Sequence, residues 1–356
     1  MHNTTTVVPL GASYQVFSSI DRRKGIHVSA GDRTVVVYGL NYDIFTSDAF
    51  LALPCGRLTV DQYEYYGITY HSSSISQLLF VGCEDNTTIN VASTKITLSQ
   101  METYLYETTR DNTGTRIVSN KPLSFFSGSQ CTNVPAHIRA CDHLAEQFPP
   151  TAIWGTHFLS ASFSGRFSGD IYRVLASQPS TTVTVNCTTY SQLQTYSLVT
   201  AGAWQEFTTP ANSFCVIESN NPLLVVEFGL GNVHDDIGDP FMMMATPIEQ
   251  YSNGYVFNVL SEFATNYITI FVTPEYFEPE KIFVDDISQE GDNWIAIYCA
   301  DGTVCGHAAY ASLEAGEHRL YHSDILAKIG VAAYGFNSFN SYGYPGGLQL
   351  TPIQCM

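Results

Sequence analysis

A repeated segment is the feature of this sequence that most constrains its fold. Residues 117–123 (IVSNKPL) recur as residues 217–223 (IESNNPL), and each copy leads into an apolar run that ends at a glycine. Weaker copies of the apolar run lie near the two ends of the chain, at residues 35–39 and 331–335. The glycines that close the four runs are Gly39, Gly128, Gly229 and Gly335. Such self-similarity indicates several copies of one supersecondary unit.

Two further landmarks recur in step with these glycines. One is a dipeptide that ends in glycine, found at Tyr66-Gly67, Trp154-Gly155, Asn253-Gly254 and Tyr342-Gly343. The other is a threonine-rich strand pattern, found at residues 87–91, 181–185, 267–270 and 5–8. Four units of about 90 residues fill the chain of 356 residues. The predicted repeats are residues 1–63, incomplete at the N-terminus, 64–151, 152–250 and 251–356, packed into one multi-repeat unit.

The pattern inside a unit predicts β-strands. In the third repeat, residues 172–185, 196–208 and 214–228 read as three hairpins, because apolar and polar residues alternate on either side of turn-forming residues. The sequence therefore predicts an all-β fold of antiparallel hairpins and meanders. Residues 141–147 and 320–329 are the segments whose patterns suit a short helix.

Two architectures fit this strand count. About seven short strands in about 90 residues is typical of a β-sandwich, which predicts tandem sandwich-like modules. The last repeat ends on Tyr342-Gly343, the landmark that opens other units. A strand from the C-terminus would then complete the first repeat and close a propeller-like ring. The sequence leaves both arrangements open.

The charge balance excludes some classes of partner. The chain has 15 Lys and Arg against 33 Asp and Glu, a net charge of −18, although only 13% of its residues are charged. Nucleic-acid binding is not expected, because phosphates require a basic patch. No apolar run reaches the roughly 18 residues of a membrane span. Residues 1–9 lack the pattern of a signal peptide, so we interpret Met1 as the start of a trimmed or mature chain.

The cysteines and sequons favour an oxidising compartment. Nine dispersed cysteines lack the spacing of a zinc site. Proximity and repeat position suggest the disulfides Cys131–Cys141, Cys187–Cys215 and Cys299–Cys305, leaving Cys55, Cys83 and Cys355 unassigned. Glycosylation sequons occur at Asn3, Asn86 and Asn186. Together they predict an extracellular protein, secreted or at the cell surface; the alternative is a cytosolic protein with buried thiols.

The sequence contains few signs of catalytic or metal-binding chemistry. The motifs of zinc proteases, serine hydrolases and nucleotide-binding enzymes are absent, so no catalytic residue and no cofactor are predicted. His143 follows Asp142, which would orient its ring in a catalytic pair, but no nucleophile is identifiable and a structural role is the favoured interpretation. Asp235, Asp236 and Asp239 are weak calcium candidates, and the alternative is a solvated turn.

Two tyrosine clusters have the composition of recognition surfaces. They contribute Tyr63, Tyr65 and Tyr66, and Tyr342 and Tyr344 within the aromatic segment 336–344. Tyrosine among Ser, Asn and Gly supplies contact area and adaptable hydrogen bonds, and sugars stack on such rings. The alternative, which we favour, is that these tyrosines are core positions of strands.

One long block of sequence resembles a known family. Residues 112–128, Cys131, residues 141–150 and Trp154-Gly155 are similar to the N-terminal domain of the IgG Fc-binding protein family, with shorter matches at 220–223, 239–241 and 342–345. The resemblance implies a secreted, disulfide-bonded, non-enzymatic binding module, and it supports the Cys131–Cys141 pair. Asp239-Pro240 resembles the self-cleavage site of D-type modules, but Phe241 replaces the histidine, so no cleavage is expected.

These observations lead to three functional hypotheses. The first is an extracellular adhesion or recognition module that binds a protein or glycoprotein partner and catalyses nothing. The second is a carbohydrate-binding, lectin-like module. The third is an enzyme whose site is assembled from loops, which requires a deep pocket with convergent titratable groups.

Overall fold

The computed structural model describes residues 5–17, 19–21, 24–55, 63–72, 74–138, 140–231, 237–291 and 293–350. This part of the chain is all-β, as predicted, and contains no α-helix. Its helical turns are the 3₁₀ segments Ala12–Tyr14, Thr151–Ile153, Ile248–Gln250, Pro274–Tyr276 and Pro279–Lys281. No helix in the described part is long and apolar enough to cross a membrane.

The N-terminal region contributes one short strand and one hairpin. The strands are β1 (Ile20–Asp21), β2 (Tyr38–Asp43) and β3 (Thr46–Leu51). β1 adds to the edge of the second repeat, whereas β2 and β3 pair with each other in a separate two-stranded sheet. We call β2 and β3 the N-terminal hairpin.

The second repeat forms two sheets that pack face to face. Its strands are β4 (Tyr63–Tyr66), β5 (Ser76–Gly82), β6 (Thr87–Val91), β7 (Thr94–Leu98), β8 (Thr103–Thr108), β9 (Arg116–Ser119), β10 (Leu123–Thr132) and β11 (Asp142–Phe148). The sheet orders are β1-β8-β5-β10-β11 and β4-β9-β6-β7. Phe80 and Phe125 from the first sheet share a buried core with Ile89 and Ile117 from the second. Because both sheets bury an apolar face against each other, the repeat is a β-sandwich, here called sandwich II.

The third repeat closes its two sheets into a half-barrel. Its strands are β12 (Gly155–Ala161), β13 (Asp170–Ala176), β14 (Thr181–Cys187), β15 (Gln194–Leu198), β16 (Trp204–Thr209), β17 (Phe214–Gly229) and β18 (Phe241–Met244). The N-terminal half of β17 pairs with β12 and β14, and its C-terminal half pairs with β13 and β18. This long strand therefore joins what are separate sheets in the second repeat. We call the unit sandwich III.

The fourth repeat, sandwich IV, returns to two sheets. Its strands are β19 (Gly254–Val259), β20 (Thr265–Val272), β21 (Ile282–Val284), β22 (Ile287–Ser288), β23 (Ile295–Tyr298), β24 (Val304–Ser312), β25 (Gly316–His322), β26 (Ile329–Phe336) and β27 (Ser341–Pro345). The sheet orders are β23-β24-β20-β26-β27 and β19-β25-β21-β22. The order β24-β20-β26-β27 matches β8-β5-β10-β11 and β16-β13-β17-β18, so the three sandwiches share one topology.

The structure decides between the two arrangements that the sequence leaves open, and it corrects two local predictions. The second, third and fourth repeats are sandwich-like modules and not the blades of a closed propeller, because the layers of each bury a core between them. β27 pairs with β26 and does not complete the first repeat. The helices predicted at 141–147 and 320–329 are absent, since the first segment lies almost wholly in β11 and the second is divided between β25, a turn and β26. The predicted repeat boundaries stay a prediction.

The repeated glycines permit close approach between paired strands. Gly39 faces Phe50, Gly229 faces Phe241 and Gly335 faces Tyr342 across the last hairpin of each repeat. A β-carbon would lie 2.1 Å from the ring of Phe50 at Gly39 and 2.0 Å from that of Phe241 at Gly229. Any other residue would displace the ring, which explains why glycine recurs here.

Candidate functional site

The last strand of each repeat lies near a common centre. β3 packs beside β11 and β27, and β18 also packs beside β11 and β27. None of these four inner strands joins another through a backbone ladder. Their outward N–H groups therefore need other acceptors, because an unpaired backbone group is costly to bury.

Buried carboxylates supply those acceptors. The Asp48 Oδ2 atom accepts hydrogen bonds from the backbone N–H groups of Ala145 (3.0 Å) and Met242 (3.2 Å). The Glu146 Oε2 atom accepts one from the N–H of Met244 (3.2 Å). Asp48 on the N-terminal hairpin thus connects sandwiches II and III. Together the two acids link the inner strands β3, β11 and β18 by hydrogen bonds.

Asp142 has the same structural role and does not orient the His143 ring. Its Oδ1 atom accepts hydrogen bonds from the Thr46 hydroxyl, the N–H of Ser47 (3.0 Å) and the N–H of His143 (2.6 Å). The His143 ring instead contacts the Asn41 amide at 3.2 Å. Neighbouring residues of a strand point to opposite faces. The favoured structural interpretation of this pair therefore agrees with the geometry, and the catalytic pairing does not.

The central acids share a raised pKa. Burial raises the pKa of Asp48 and of Glu146 well above the ordinary values. Burial raises the pKa of Asp142 to about 8, against the hydrogen bonds that lower it, and raises the pKa of Asp239 to about 7, against the charge of Arg166. Loss of solvation on burial is the largest cause in each case, so the raised pKa values reflect the burial of these structural acids.

The loops that lead into the inner strands meet at one end of the centre. Their described residues are 44–45, 133–138, 140–141, 230–231, 237–240 and 337–340, and we call the surface of these residues the loop face. The Asn340 side-chain amide donates to the carbonyls of Asp43 (3.1 Å) and Ile44 (3.3 Å). Backbone bonds join the other loops, from Gly238 N–H to the Asn337 carbonyl (2.7 Å) and from Gly231 N–H to the Val134 carbonyl (2.8 Å). These contacts fix the loops relative to one another.

Three large apolar side chains project from the loop face. Ile44 is 68% exposed, Phe45 65% and Phe339 54%. The rings of Phe45 and Phe339 meet edge to face, with centroids 6.2 Å apart. Single exposed apolar residues are common, but a group on loops held by a rigid scaffold is typical of a binding surface. Sequence reasoning missed Ile44 and Phe45; Phe339 lies within the aromatic segment 336–344 that it singled out.

The five candidate tyrosines lie in the core and not on this surface. The residues are Tyr63, Tyr65, Tyr66, Tyr342 and Tyr344. Where hydrogen bonds of their hydroxyl groups are described, the partners lie inside the protein. The Tyr342 hydroxyl, for example, donates to the Asn266 amide oxygen at 2.8 Å. Their burial agrees with the favoured interpretation of these tyrosines as core positions, because alternate residues of these strands face the inside of a sandwich.

Four disulfides join eight cysteines. Three are the pairs that the sequence suggests, Cys131–Cys141, Cys187–Cys215 and Cys299–Cys305, and the fourth is Cys55–Cys83. The Cys131–Cys141 bond joins the end of β10 to the residue before β11, next to the loop face. Cys355 lies outside the described residues.

The two described sequons differ in their surroundings. Asn86 is exposed in a turn, whereas the side-chain amide of Asn186 donates to the Tyr298 carbonyl at 2.9 Å. Asn3 lies outside the described residues, and glycosylation stays a prediction.

Calcium binding also stays a prediction. Asp235 and Asp236 lie outside the described residues, and Asp239 is buried in the loop face, where its N–H donates to the Ser341 hydroxyl at 2.9 Å. The described group with metal-ligand spacing is Glu218 with Cys299 and Cys305, but both sulfurs are in a disulfide.

An internal cavity between sandwiches III and IV is too small for a substrate. It has about 20 Å³ of space, enough for one water molecule, and Glu227, Tyr251 and Tyr334 contribute to its wall. The Glu227 carboxylate accepts a hydrogen bond from the Tyr172 hydroxyl. This buried acid therefore has a structural partner.

The fold and the loop face define a class of protein: linked β-sandwiches that present fixed loops around a shared centre. The model of the IgGFc binding protein family matches residues 48–335, most of the chain, so the chain belongs to this family. Human IgGFc-binding protein is 24% identical over 163 residues, which are 46% of this chain and 3% of the human protein. The chain thus spans a small fraction of that relative's length. The resemblance seen in the sequence is confirmed.

Proposed function

We propose that the chain is an extracellular, non-catalytic recognition or adhesion module that binds a protein or glycoprotein through the loop face. The observation that carries this proposal is the group of Ile44, Phe45 and Phe339 on loops that hydrogen bonds join to one another. Loops whose backbones are held in place lose little entropy on binding, so such a surface is preorganised.

Two observations support the extracellular, binding part of this proposal. Four disulfides are typical of proteins that mature in an oxidising compartment. The family is named for binding, and the human relative carries the name of an IgG Fc binder.

The hydrogen bonds of the buried central acids argue against the enzyme hypothesis. A catalytic acid needs access to a substrate, whereas Asp48, Asp142 and Glu146 are buried and accept backbone hydrogen bonds. Their raised pKa follows from that burial. Buried carboxylates with a structural role commonly have a perturbed pKa without being catalytic.

The burial of the five candidate tyrosines weakens the lectin hypothesis. Sugar recognition by stacking requires an exposed ring next to polar groups, and the five candidate tyrosines are buried. The exposed rings of the loop face are phenylalanines that contact each other, an arrangement suited to an apolar anchor of a protein partner.

A binding panel with matched variants tests the proposal. Immobilised protein would be challenged with IgG Fc, the first probe because of the relative's name, with purified secreted mucins, and with a glycan array. The loop-face variant Phe45→Ser/Phe339→Ser is compared with Val199→Ser/Ile287→Ser, which removes two exposed apolar side chains elsewhere. We expect a protein or glycoprotein ligand whose affinity falls at least about tenfold in the first variant only, since hot-spot aromatics are worth about 1.4 kcal/mol or more.

Two results would contradict it. Equal affinity of both variants would remove the loop face as the binding surface. Strong binding to simple glycans with no protein ligand would favour the lectin hypothesis.

A further inference from the structure

Three buried side-chain oxygens near the loop face have no hydrogen-bond donor among the described residues. They are the Oδ2 atom of Asp142, the Oδ1 atom of Asp239 and the Oδ1 atom of Asn340. The three residues are 0%, 3% and 1% exposed. A buried acceptor without a partner loses its hydration and gains nothing in return, so native proteins seldom contain one. Three such oxygens in one region point to a partner from outside the chain.

Hydrogen bonds join the three residues into one cluster. The other oxygen of Asp142, Oδ1, accepts from the N–H of Ser47 at 3.0 Å. The Ser47 hydroxyl donates to the Ser341 carbonyl at 2.7 Å, and the Ser341 hydroxyl accepts from the N–H of Asp239 at 2.9 Å. Asn340 immediately precedes Ser341 in the chain. Asp142 and Asp239 are also close enough for their charges to interact. The oxygens without donors therefore share one small buried region.

The repeat explains why these side chains approach one another. Asp239 and Asn340 each lie two residues before the strand position that faces the repeated glycine, and Asp48 has the same place in the N-terminal hairpin. Equivalent positions of units around a common centre lie near each other. Both oxygens of Asp48 already accept backbone N–H groups, so Asp48 is not a member of the cluster.

The cluster has more negative than positive charge. Within the described part of the chain, neither Asp142 nor Asp239 belongs to an ion pair. The charge of Arg166 acts on Asp239, but its guanidinium also donates to the Leu230 carbonyl at 2.7 Å. One positive charge cannot balance two carboxylates. Buried charges in proteins are commonly paired or coordinate a metal ion.

We propose that Asp142, Asp239 and Asn340 bind a calcium ion where the loop face meets the centre. Carboxylate and amide oxygens are the ligands of Ca²⁺, which takes six to eight of them, and backbone carbonyls and water supply the rest of such a shell. Mg²⁺ retains its own water and suits a buried site less well. Protons neutralise the two acids when no metal ion is bound, and the ion displaces them. Of the aspartates that the sequence predicts for calcium, Asp239 alone belongs to this site.

The ion would join three sandwiches. Asp142 begins β11 of sandwich II, Asp239 precedes β18 of sandwich III and Asn340 precedes β27 of sandwich IV. A ligand set with two carboxylates matches the weak sites of extracellular modules, with a Kd of about 10⁻⁴–10⁻³ M. This inference stands on the cluster alone and does not rest on the proposed function.

Thermal unfolding of the full chain tests the site without any protein ligand. The protein is dialysed against a chelator at about pH 8, where the acids lose their protons most easily, and Tm is then followed as CaCl₂ or MgCl₂ is added. With the Kd above, about 10 mM calcium should raise Tm by about 2–4 °C and saturate, because an ion that binds the folded state alone stabilises it. The same concentration of magnesium should have less than half this effect.

Matched variants locate the ion. Asp142→Asn and Asp239→Asn each remove one carboxylate with little change of shape and should lower calcium affinity at least tenfold. Glu146→Gln makes the same change at a buried central acid whose oxygens already accept N–H groups, and should keep the wild-type affinity. Each variant is compared with its own Tm in chelator, which also shows that it folds.

Three outcomes would overturn the proposal. The first is an equal rise in Tm with calcium and magnesium, which would indicate charge screening. The second is wild-type calcium affinity in both Asp142→Asn and Asp239→Asn. The third is loss of calcium binding in Asp235→Asn/Asp236→Asn with no change in Asp142→Asn, because the ion would then belong to the aspartates that the sequence predicts.

Discussion

Replacing Arg173 by methionine removes a buried charge from the contact between sandwiches II and III. The guanidinium donates to the Asp111 Oδ2 atom at 2.8 Å, to the Glu206 Oε2 atom at 2.9 Å and to the Thr69 carbonyl. It also lies 4.4 Å from the centre of the Trp204 ring. Methionine keeps much of the apolar volume, so the change mainly tests the charge and its hydrogen bonds.

The expected cost follows from the burial of the partners. Removing one member of a buried ion pair typically costs about 3–5 kcal/mol. The Asp111 and Glu206 side chains are 28% and 34% exposed, so water can solvate them after the change, and the low end of that range, about 3 kcal/mol, applies. For a chain of this length, an unfolding entropy of about 2.1 cal/mol/K per residue converts this into a Tm decrease of about 4 °C.

Urea unfolding followed by tryptophan fluorescence measures this free energy of unfolding. Arg173→Lys should lie between wild type and Arg173→Met, because lysine keeps the charge but loses the forked geometry. Arg116→Met is the matched control, since Arg116 pairs with Glu64 but is 58% exposed, and it should cost less than about 1 kcal/mol. A cost below about 1 kcal/mol for Arg173→Met would refute the reasoning.

The pH dependence of the free energy of unfolding gives a second test of the Arg173–Asp111 ion pair. Burial acts to raise the pKa of Asp111, but Arg173 and the hydrogen bonds from Thr113 and Thr69 outweigh it, and the pKa is lowered. A lowered folded-state pKa contributes stability above the ordinary value of about 3.9, which is lost as the pH falls through the folded pKa. The difference between wild type and Arg173→Met should therefore narrow below about pH 4.

Three further predictions concern the cysteines, the sequons and the central acids. Thiol counting under denaturing conditions should find one free thiol, Cys355, and finding nine would exclude the disulfides. After secretion from eukaryotic cells, mass spectrometry should find higher glycan occupancy at Asn86 than at Asn186, whose amide is bonded; the reverse order would contradict this. Because burial raises the pKa of Asp142 to about 8 and that of Asp239 to about 7, the folded state binds more protons than the unfolded state between about pH 4 and 7. Thermal unfolding should show stability falling as the pH rises through this range, with a shallower slope in Asp142→Asn, and an unchanged slope in that variant would count against the assignment.

The repeat and its hairpins could be predicted because they are local patterns. Alternating apolar residues mark β14, and the repeated glycine Gly229 lies where a ring packs over the backbone. The choice between sandwich and ring was not predictable, because it depends on which sheets face each other. Segment 141–147 contains helix-favouring Leu, Ala, Glu and Gln, yet pairing with β10 makes it a strand, since tertiary contacts outweigh intrinsic propensity.

The site was less predictable than the fold. Tyr342 and Tyr344 have the composition of a recognition surface but face a core, and one sequence cannot tell the two faces of a strand apart without knowing the second sheet. Ile44 and Phe45 occupy a tight hairpin turn, where polar residues are usual, and that exception was the available signal. The role of Asp48 depends on donors about 100 and 200 residues away, which no local pattern contains.

The long-range bonds of the N-terminal hairpin have a consequence for synthesis. Asp48 accepts from Ala145 and Met242, and the Ser47 hydroxyl donates to the carbonyl of Ser341 at 2.7 Å. The hairpin therefore leaves the ribosome early but can be fully seated only after about 290 more residues, roughly 15–60 s at ~5–20 residues per second. During the first part of that interval the Asp48 carboxylate lacks its long-range donors. We expect this hairpin to settle only after the three sandwiches, although it is synthesised before them.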